Sequence, residues 1–137
     1  MLQHLSRSLC VMAFGGWACG GSQTASPAPL VATAMAEVDV ATLHAARAAG
    51  SVALVDVRTP GEYADGHVPG AVNIPVDEIP SRLAEITAHK ERDLYLICRS
   101  GARSARAQGF LLDAGFANPI NVAGGTRAWQ SAGFSVE

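Results

Sequence analysis

In "LYLICRSGARSARA", Leu94 to Ala107, an apolar run ends at a cysteine, Cys98, and gives way at once to three arginines, a glycine and two serines before helix-forming sequence resumes. A short, unbroken apolar run of this kind is the pattern of a strand buried on both faces of a parallel sheet. The charged, glycine-containing segment after it cannot continue a core. It reads as a loop that delivers the chain to a helix starting near Ser104. Ligands of open α/β sheets sit beyond the carboxyl ends of the strands, so Cys98 is placed at the edge where chemistry is expected.

Working outward, the same alternation repeats. Downstream, "SARAQGFLLDAGF" sets Ala107, Phe110, Leu111 and Ala114 on one helical face and stops at Gly115; "NPINV" is a strand and "GGTRAWQSAG" a last helix. Upstream, "VDEIPSRLAEITAH" reads as helical, with Asp77 or Ser81 as its cap and Pro80 near its first turn. Before it come a short strand, "AVNIP", and the turn-rich "RTPGEYADGHVPG", which holds only a short helical piece around Glu62 to Ala64. "SVALVDV" is a second buried strand, ending near Asp56. "VDVATLHAARAAG" is a helix capped by Asp39 and stopped at Gly50. Strands alternating with helices imply an α/β sandwich around a mostly parallel sheet.

At 137 residues the chain has room for one principal domain, which reads from residue 37 to residue 137. The formal net charge of -2 offers no basic face to replace phosphate counterions, so nucleic acid is excluded as a partner. The opening stretch differs. "MLQHLSRSLCVMAFGGWACGG" has a short basic segment ending at Arg7 and then an apolar run too short to span a bilayer, the layout of an export signal over residues 1–18. Residues 19–36, rich in Ser, Thr, Ala and Pro, read as a tether. The segment "GGWACGGSQ" resembles the lipobox of bacterial lipoproteins, with Ala18 before Cys19, although Trp17 and Gly16 depart from the pattern. Lipidation of Cys19 and simple cleavage both stay open. Either outcome implies export across a bacterial inner membrane, to the periplasm or to a lipid anchor.

Of three cysteines, Cys10 and Cys19 fall in or at the end of the signal, leaving Cys98 alone in the domain. No disulfide framework can form there, and a solitary cysteine is either inert packing or a reactive group. The unpaired N–H groups of a loop entering a helix, with the dipole behind them, make an anion cradle that lowers a thiol pKa below its free value of about 8.5. Gly101 lets the backbone curl, and Arg99 and Arg103 add charge at the rim. The expected species is a thiolate facing an anionic substrate. His44 and His89 lack ligand spacing, so neither metal nor other cofactor is expected.

"CRSGARS", Cys98 to Ser104, resembles the active-site loop of the rhodanese (thiosulfate sulfurtransferase) family. Two more stretches carry the likeness: "LVDVRTPGEYADGHVPGAVNIP", Leu54 to Pro75, and "VAGGTRAWQSAGFSV", Val122 to Val136. The resemblance implies a three-layer sandwich with about five strands, and a six-residue loop formed by Cys98 and Arg99, Ser100, Gly101, Ala102 and Arg103, with Ser104 after it. It implies a Cys98 persulfide, loaded by thiosulfate or a similar donor and discharged to cyanide, a thiol or a thioredoxin-like protein. Arg103 matches the position that faces the donor's anionic end. Arg58 and Glu62 are implied to form a structural ion pair, Asp56 to bind nearby backbone, and His67 to serve a turn rather than act as a base. Trp129 anchors the last helix.

Two alternatives follow from the same likeness. Cell-cycle phosphatases share this fold and this cysteine and arginine, as an arsenate- or phosphate-handling site would, but with a loop one residue longer; the four residues between Cys98 and Arg103 suit sulfur better than a tetrahedral phosphate. A persulfide carrier or partner-binding module would keep every residue named here and differ only in its acceptor.

Overall fold

The computed structural model describes residues 35–137. The signal, the tether up to residue 34 and Cys19 lie outside the described residues. Within these, the element order is β1 (Glu37–Val38), α1 (Val40–Ala49), β2 (Ala53–Asp56), α2 (Pro60–Ala64), β3 (Val72–Asn73), three short 3-10 segments between Val76 and His89, β4 (Asp93–Ile97), α3 (Ala102–Asp113), β5 (Asn118–Val122) and α4 (Gly125–Ser131). Five strands form one sheet in the order β1-β5-β4-β2-β3, every pair parallel, as the α/β reading expected. The central strand β4 pairs with β2 through Leu54↔Tyr95 and Asp56↔Ile97, and with β5 through Leu96↔Asn121.

Alternation along β4 sorts the core onto two faces. Leu94, Leu96 and, just past the strand, Cys98 pack with Val55, Ala107, Leu111 and Phe116 beneath α3. Tyr95 and Ile97 pack on the other face with Leu43 of α1 and Trp129 of α4. The cysteine therefore leaves the sheet on the α3 side.

The local signals for α1 act as read. The Asp39 side chain accepts from the Thr42 N–H at 2.7 Å, and Gly50 closes the helix. Two expectations change. The segment from Val76 to His89 is not an α-helix but three 3-10 turns. Pro80 lies inside the first of them, where it cannot supply the N–H that an α-helix needs, and tighter turns accommodate it. Helix α3 begins at Ala102 rather than near Ser104, because Gly101, at φ +108°, already serves as its N-cap. Arg103 and Ser104 consequently stand on the first helical turn, and the loop proper is Cys98 to Gly101.

Candidate active site

Cys98 is buried, 1% exposed, with its sulfur inside the turn it begins. The Gly101 N–H donates to Sγ at 3.0 Å, and the Ser104 hydroxyl lies 3.4 Å from the same atom. Gly101 reaches this position only through its left-handed backbone, a conformation that a side chain would strain. Burial pushes the thiol pKa up, but the Ser104 hydroxyl and the Ser104, Gly101 and Ser100 amides outweigh it. The net effect is downward, toward the thiolate. Ser100, Gly101 and Ser104 supply the donors around the sulfur.

The loop is braced from behind by α4. The Thr126 N–H donates to the Cys98 carbonyl at 2.8 Å and the Arg127 N–H to the Arg99 carbonyl at 3.1 Å. The tie needs close approach: a Cβ on Gly125 would lie 2.2 Å from the Cys98 carbonyl oxygen. The glycine pair of the C-terminal stretch is thus the floor of the cysteine loop.

The upstream residues pair differently from the expectation. Arg58 does not bind Glu62. Its guanidinium grips Asp56, with Nη2 on Oδ2 at 2.6 Å, and also donates to the Gly66 carbonyl at 2.8 Å. Residues 56 and 58 project on one side of extended chain, which brings the two side chains together, and both are buried. Asp56 also accepts from the Arg58 N–H at 3.0 Å, the backbone contact expected of it.

Glu62 turns back to cap α2, accepting from the Thr59 N–H at 3.1 Å, and its outward side binds Arg103 in a two-pronged pair at 2.7 and 2.8 Å. That pair holds the Glu62 carboxyl down to about 2 and raises the guanidinium pKa of Arg103. Arg103 therefore stands beside the cysteine loop with a neutralising partner already in place. Arg99 and Ala102 are exposed at the rim. His67 takes the turn position: its ring stacks on Tyr63 at 3.6 Å between centroids, Nδ1 meets the Tyr63 carbonyl at 2.9 Å, and its backbone exchanges two hydrogen bonds with Glu137.

Asn121 was not singled out from the sequence. Its Oδ1 lies 2.6 Å from the Ser104 hydroxyl, and its Nδ2 donates to Glu37 of β1 at 2.8 Å. A polar residue within "NPINV" was the one available signal, since a buried amide in a core strand needs partners.

A buried thiol that accepts from backbone amides, at the carboxyl end of the middle strand of an all-parallel sheet, defines an α/β protein with a candidate cysteine site. Residues 39–132 match the family model described as "Rhodanese-like domain", and the chain belongs to that family. A sulfurtransferase of Allochromatium vinosum is 44% identical over 85 residues, covering 62% of this chain and 78% of that protein. The thiosulfate sulfurtransferase PspE of Escherichia coli is 34% identical, covering 51% of this chain and 67% of that one. The human single-domain sulfurtransferase TSTD1 superposes with a TM-score of 0.63 at 33% identity, over 69% of this chain and 95% of its own. Sulfur transfer is the class of activity that the family and these relatives support.

Proposed function

We propose that the protein moves a sulfane sulfur from thiosulfate, or a similar anionic donor, to a thiophilic acceptor through a Cys98 persulfide. The Cys98 thiolate attacks the outer sulfur of thiosulfate; the donor's S–S bond breaks and sulfite leaves with the bonding pair. The persulfide's outer sulfur carries the charge. Cyanide or a thiolate then attacks that sulfur, taking it as thiocyanate or a new persulfide, and the electron pair of the broken bond returns to Cys98 as thiolate. No separate base is required in this scheme, because the nucleophile is already the anion.

The observation that carries this reading is the amide donation to Cys98 Sγ, with Gly101 N at 3.0 Å, which favours the charged sulfur despite its burial. Arg99 and Arg103 supply positive charge for an anionic donor. The short spacing from Cys98 to Arg103 favours sulfur over phosphate. For the N-terminal stretch, the sequence pattern of residues 1–18 supports export, and Cys19 is the position at which a lipid would tether the domain.

Incubation with thiosulfate followed by intact-mass measurement tests the assignment. The wild-type chain gains one sulfur atom and loses it on addition of cyanide, whereas Cys98→Ser gains none. A chain that gains no sulfur, or a Cys98→Ser variant that gains as much as wild type, would overturn it.

A further inference from the structure

The Ser104 hydroxyl has one proton and three acceptors within reach: Cys98 Sγ at 3.4 Å, the Gly101 carbonyl at 3.0 Å and Asn121 Oδ1 at 2.6 Å. A hydroxyl can serve only one of them fully. Which way the Asn121 amide points is settled by its other end, since Nδ2 is the atom that can donate to the Glu37 carboxylate at 2.8 Å. Turned over, the amide would set its oxygen against that carboxylate. Held this way by Glu37, Asn121 presents an acceptor, rather than a donor, to Ser104.

We propose that Asn121, oriented by Glu37, is a positioning residue that draws the Ser104 proton away from Cys98 and so biases the cysteine toward its uncharged sulfur states. The inference rests on Cys98 as the sulfur-bearing residue. With the thiol protonated, S–H can donate to Ser104 Oγ while Ser104 O–H donates to Asn121 Oδ1, and every group is satisfied. In the persulfide the charge sits on the outer sulfur, Sγ needs no donor, and Ser104 again serves Asn121. Only the bare thiolate calls the hydroxyl back, at the cost of the shorter hydrogen bond. The thiolate is also the leaving group when an acceptor takes the outer sulfur: the acceptor's new S–S or C–S bond forms, the Cys98 S–S bond breaks, and its electron pair stays on Sγ. An acceptor competing for the Ser104 proton therefore makes Cys98 a poorer leaving group and lengthens the life of the loaded state.

Several charges surround this network. Arg103 on α3 lies near enough to Cys98 to feel its charge, with Glu62 of α2 paired to it, and Asp56 with Arg58 closes the end of β2. Glu37, exposed on the edge strand, stands behind Asn121. Arg99 and, on α4, Arg127 are exposed at the loop rim. Of these, only Glu37 hydrogen-bonds the Asn121 side chain, so substitutions at 121 leave the other ion pairs intact.

The test is the pH midpoint of Cys98 alkylation, together with the rate at which persulfide-loaded protein discharges to cyanide. Asn121→Ala frees the Ser104 proton for the thiolate, so the midpoint should fall by about half a unit to one unit, the size of one neutral hydrogen bond. Discharge should quicken by a similar factor, about three- to tenfold. Asn121→Asp sets a second carboxylate against Glu37 and adds negative charge behind Ser104, so its midpoint should rise on charge alone, and Asn121→Ala is the deciding variant. A merely structural role predicts otherwise: Asn121→Ala would loosen the cradle and raise the midpoint. A midpoint that is unmoved or raised in Asn121→Ala overturns the proposal. Should that variant fail to fold, Glu37→Ala on the exposed edge releases the amide, and here too a fall supports the idea and an unchanged or raised midpoint overturns it. Alkylation needs no sulfur donor, so this result is read independently of whether thiosulfate loads Cys98.

Discussion

Glu62 and Arg103 meet at the mouth of the cysteine loop, and their pairing makes two measurable differences. Hydrogen bonding from Arg103, set against partial burial and helped by the Thr59 contacts, lowers the Glu62 pKa from 4.5 to about 2. A carboxyl with a depressed folded-state pKa stabilises the fold above its unfolded value, and that contribution is lost as the pH falls through the folded value. The window is therefore from about pH 4.5 down to about pH 2. Both side chains remain roughly a third exposed, so solvent screening holds the contribution to about 1 kcal/mol. Urea unfolding should find Glu62→Gln less stable than wild type by about this amount near neutral pH, with the gap closing as the pH falls through the window. A gap constant with pH would mean that the charge of the pair contributes nothing. The same variant removes the carboxylate that neutralises Arg103, so KM for thiosulfate should fall roughly two- to fivefold, the range of a partly exposed charge pair. The Arg58–Glu62 pairing expected from the motif fails for a local reason. Thr59 recruits Glu62 for the α2 cap, and Asp56, two residues from Arg58 on the same side of the chain, is nearer.

At the scale of elements, the cysteine loop depends on how closely α4 approaches it. Gly125 has φ +56°, and a Cβ there would lie 2.2 Å from the Cys98 carbonyl oxygen and 2.6 Å from the Arg99 carbonyl carbon, both backbone atoms with little room to move. Gly125→Ala should therefore displace the loop, costing roughly 1–3 kcal/mol of stability as overpacking does. Sulfur loading from thiosulfate should fall at least about tenfold, the scale of a misplaced reacting group. Wild-type loading kinetics in a folded variant would show that the contact is not needed. The sequence carried the elements in proportion to their signals. The unbroken "DLYLI" run, the Asp39 cap and the Gly50 stop are local and strong, and each stands where it was read. The two-residue strand β1 is too short to make a pattern and exists because Asn121 N–H and Ala123 N–H find the Ala36 and Val38 carbonyls at 2.9 and 2.8 Å. The apolar spacing of Ile79, Leu83 and Ile86 suggests an α-helix, but Pro80 inside the segment turns the same residues into 3-10 turns that still bury Ile79 and Ile86. Cys98, Gly101 and Ser104 were legible as a site because loop and helix are contiguous. Asn121, 17 residues from Ser104, was not, because only the pairing of β4 with β5 brings it there.

For the whole described domain, one sheet serves two cores, and β4 is the strand both share. Leu96, fully buried, faces the α3 side with Val55 and Leu111; its neighbour Ile97, equally buried, faces the α1 and α4 side with Leu43 and Trp129. Neither layer can persist alone, because removing either exposes a face of a parallel sheet that is apolar on both sides. The cysteine loop draws on both layers: α3 on one face supplies Ser104, and α4 on the other holds the Cys98 carbonyl. Leu96→Ala and Ile97→Ala should therefore each cost about 2–5 kcal/mol, the usual range for an aliphatic side chain truncated in a core. Each should also lower the midpoint of one common unfolding transition rather than split it. In a Trp17→Phe background, Trp129 fluorescence reports the α4 face, while far-ultraviolet circular dichroism weights α3, the longest helix among the described residues. Coincident curves from both probes in both variants are the expected result. If Leu96→Ala loses circular dichroism signal while Trp129 remains buried, the two layers are separable, and the cysteine loop could be lost without unfolding the α4 side.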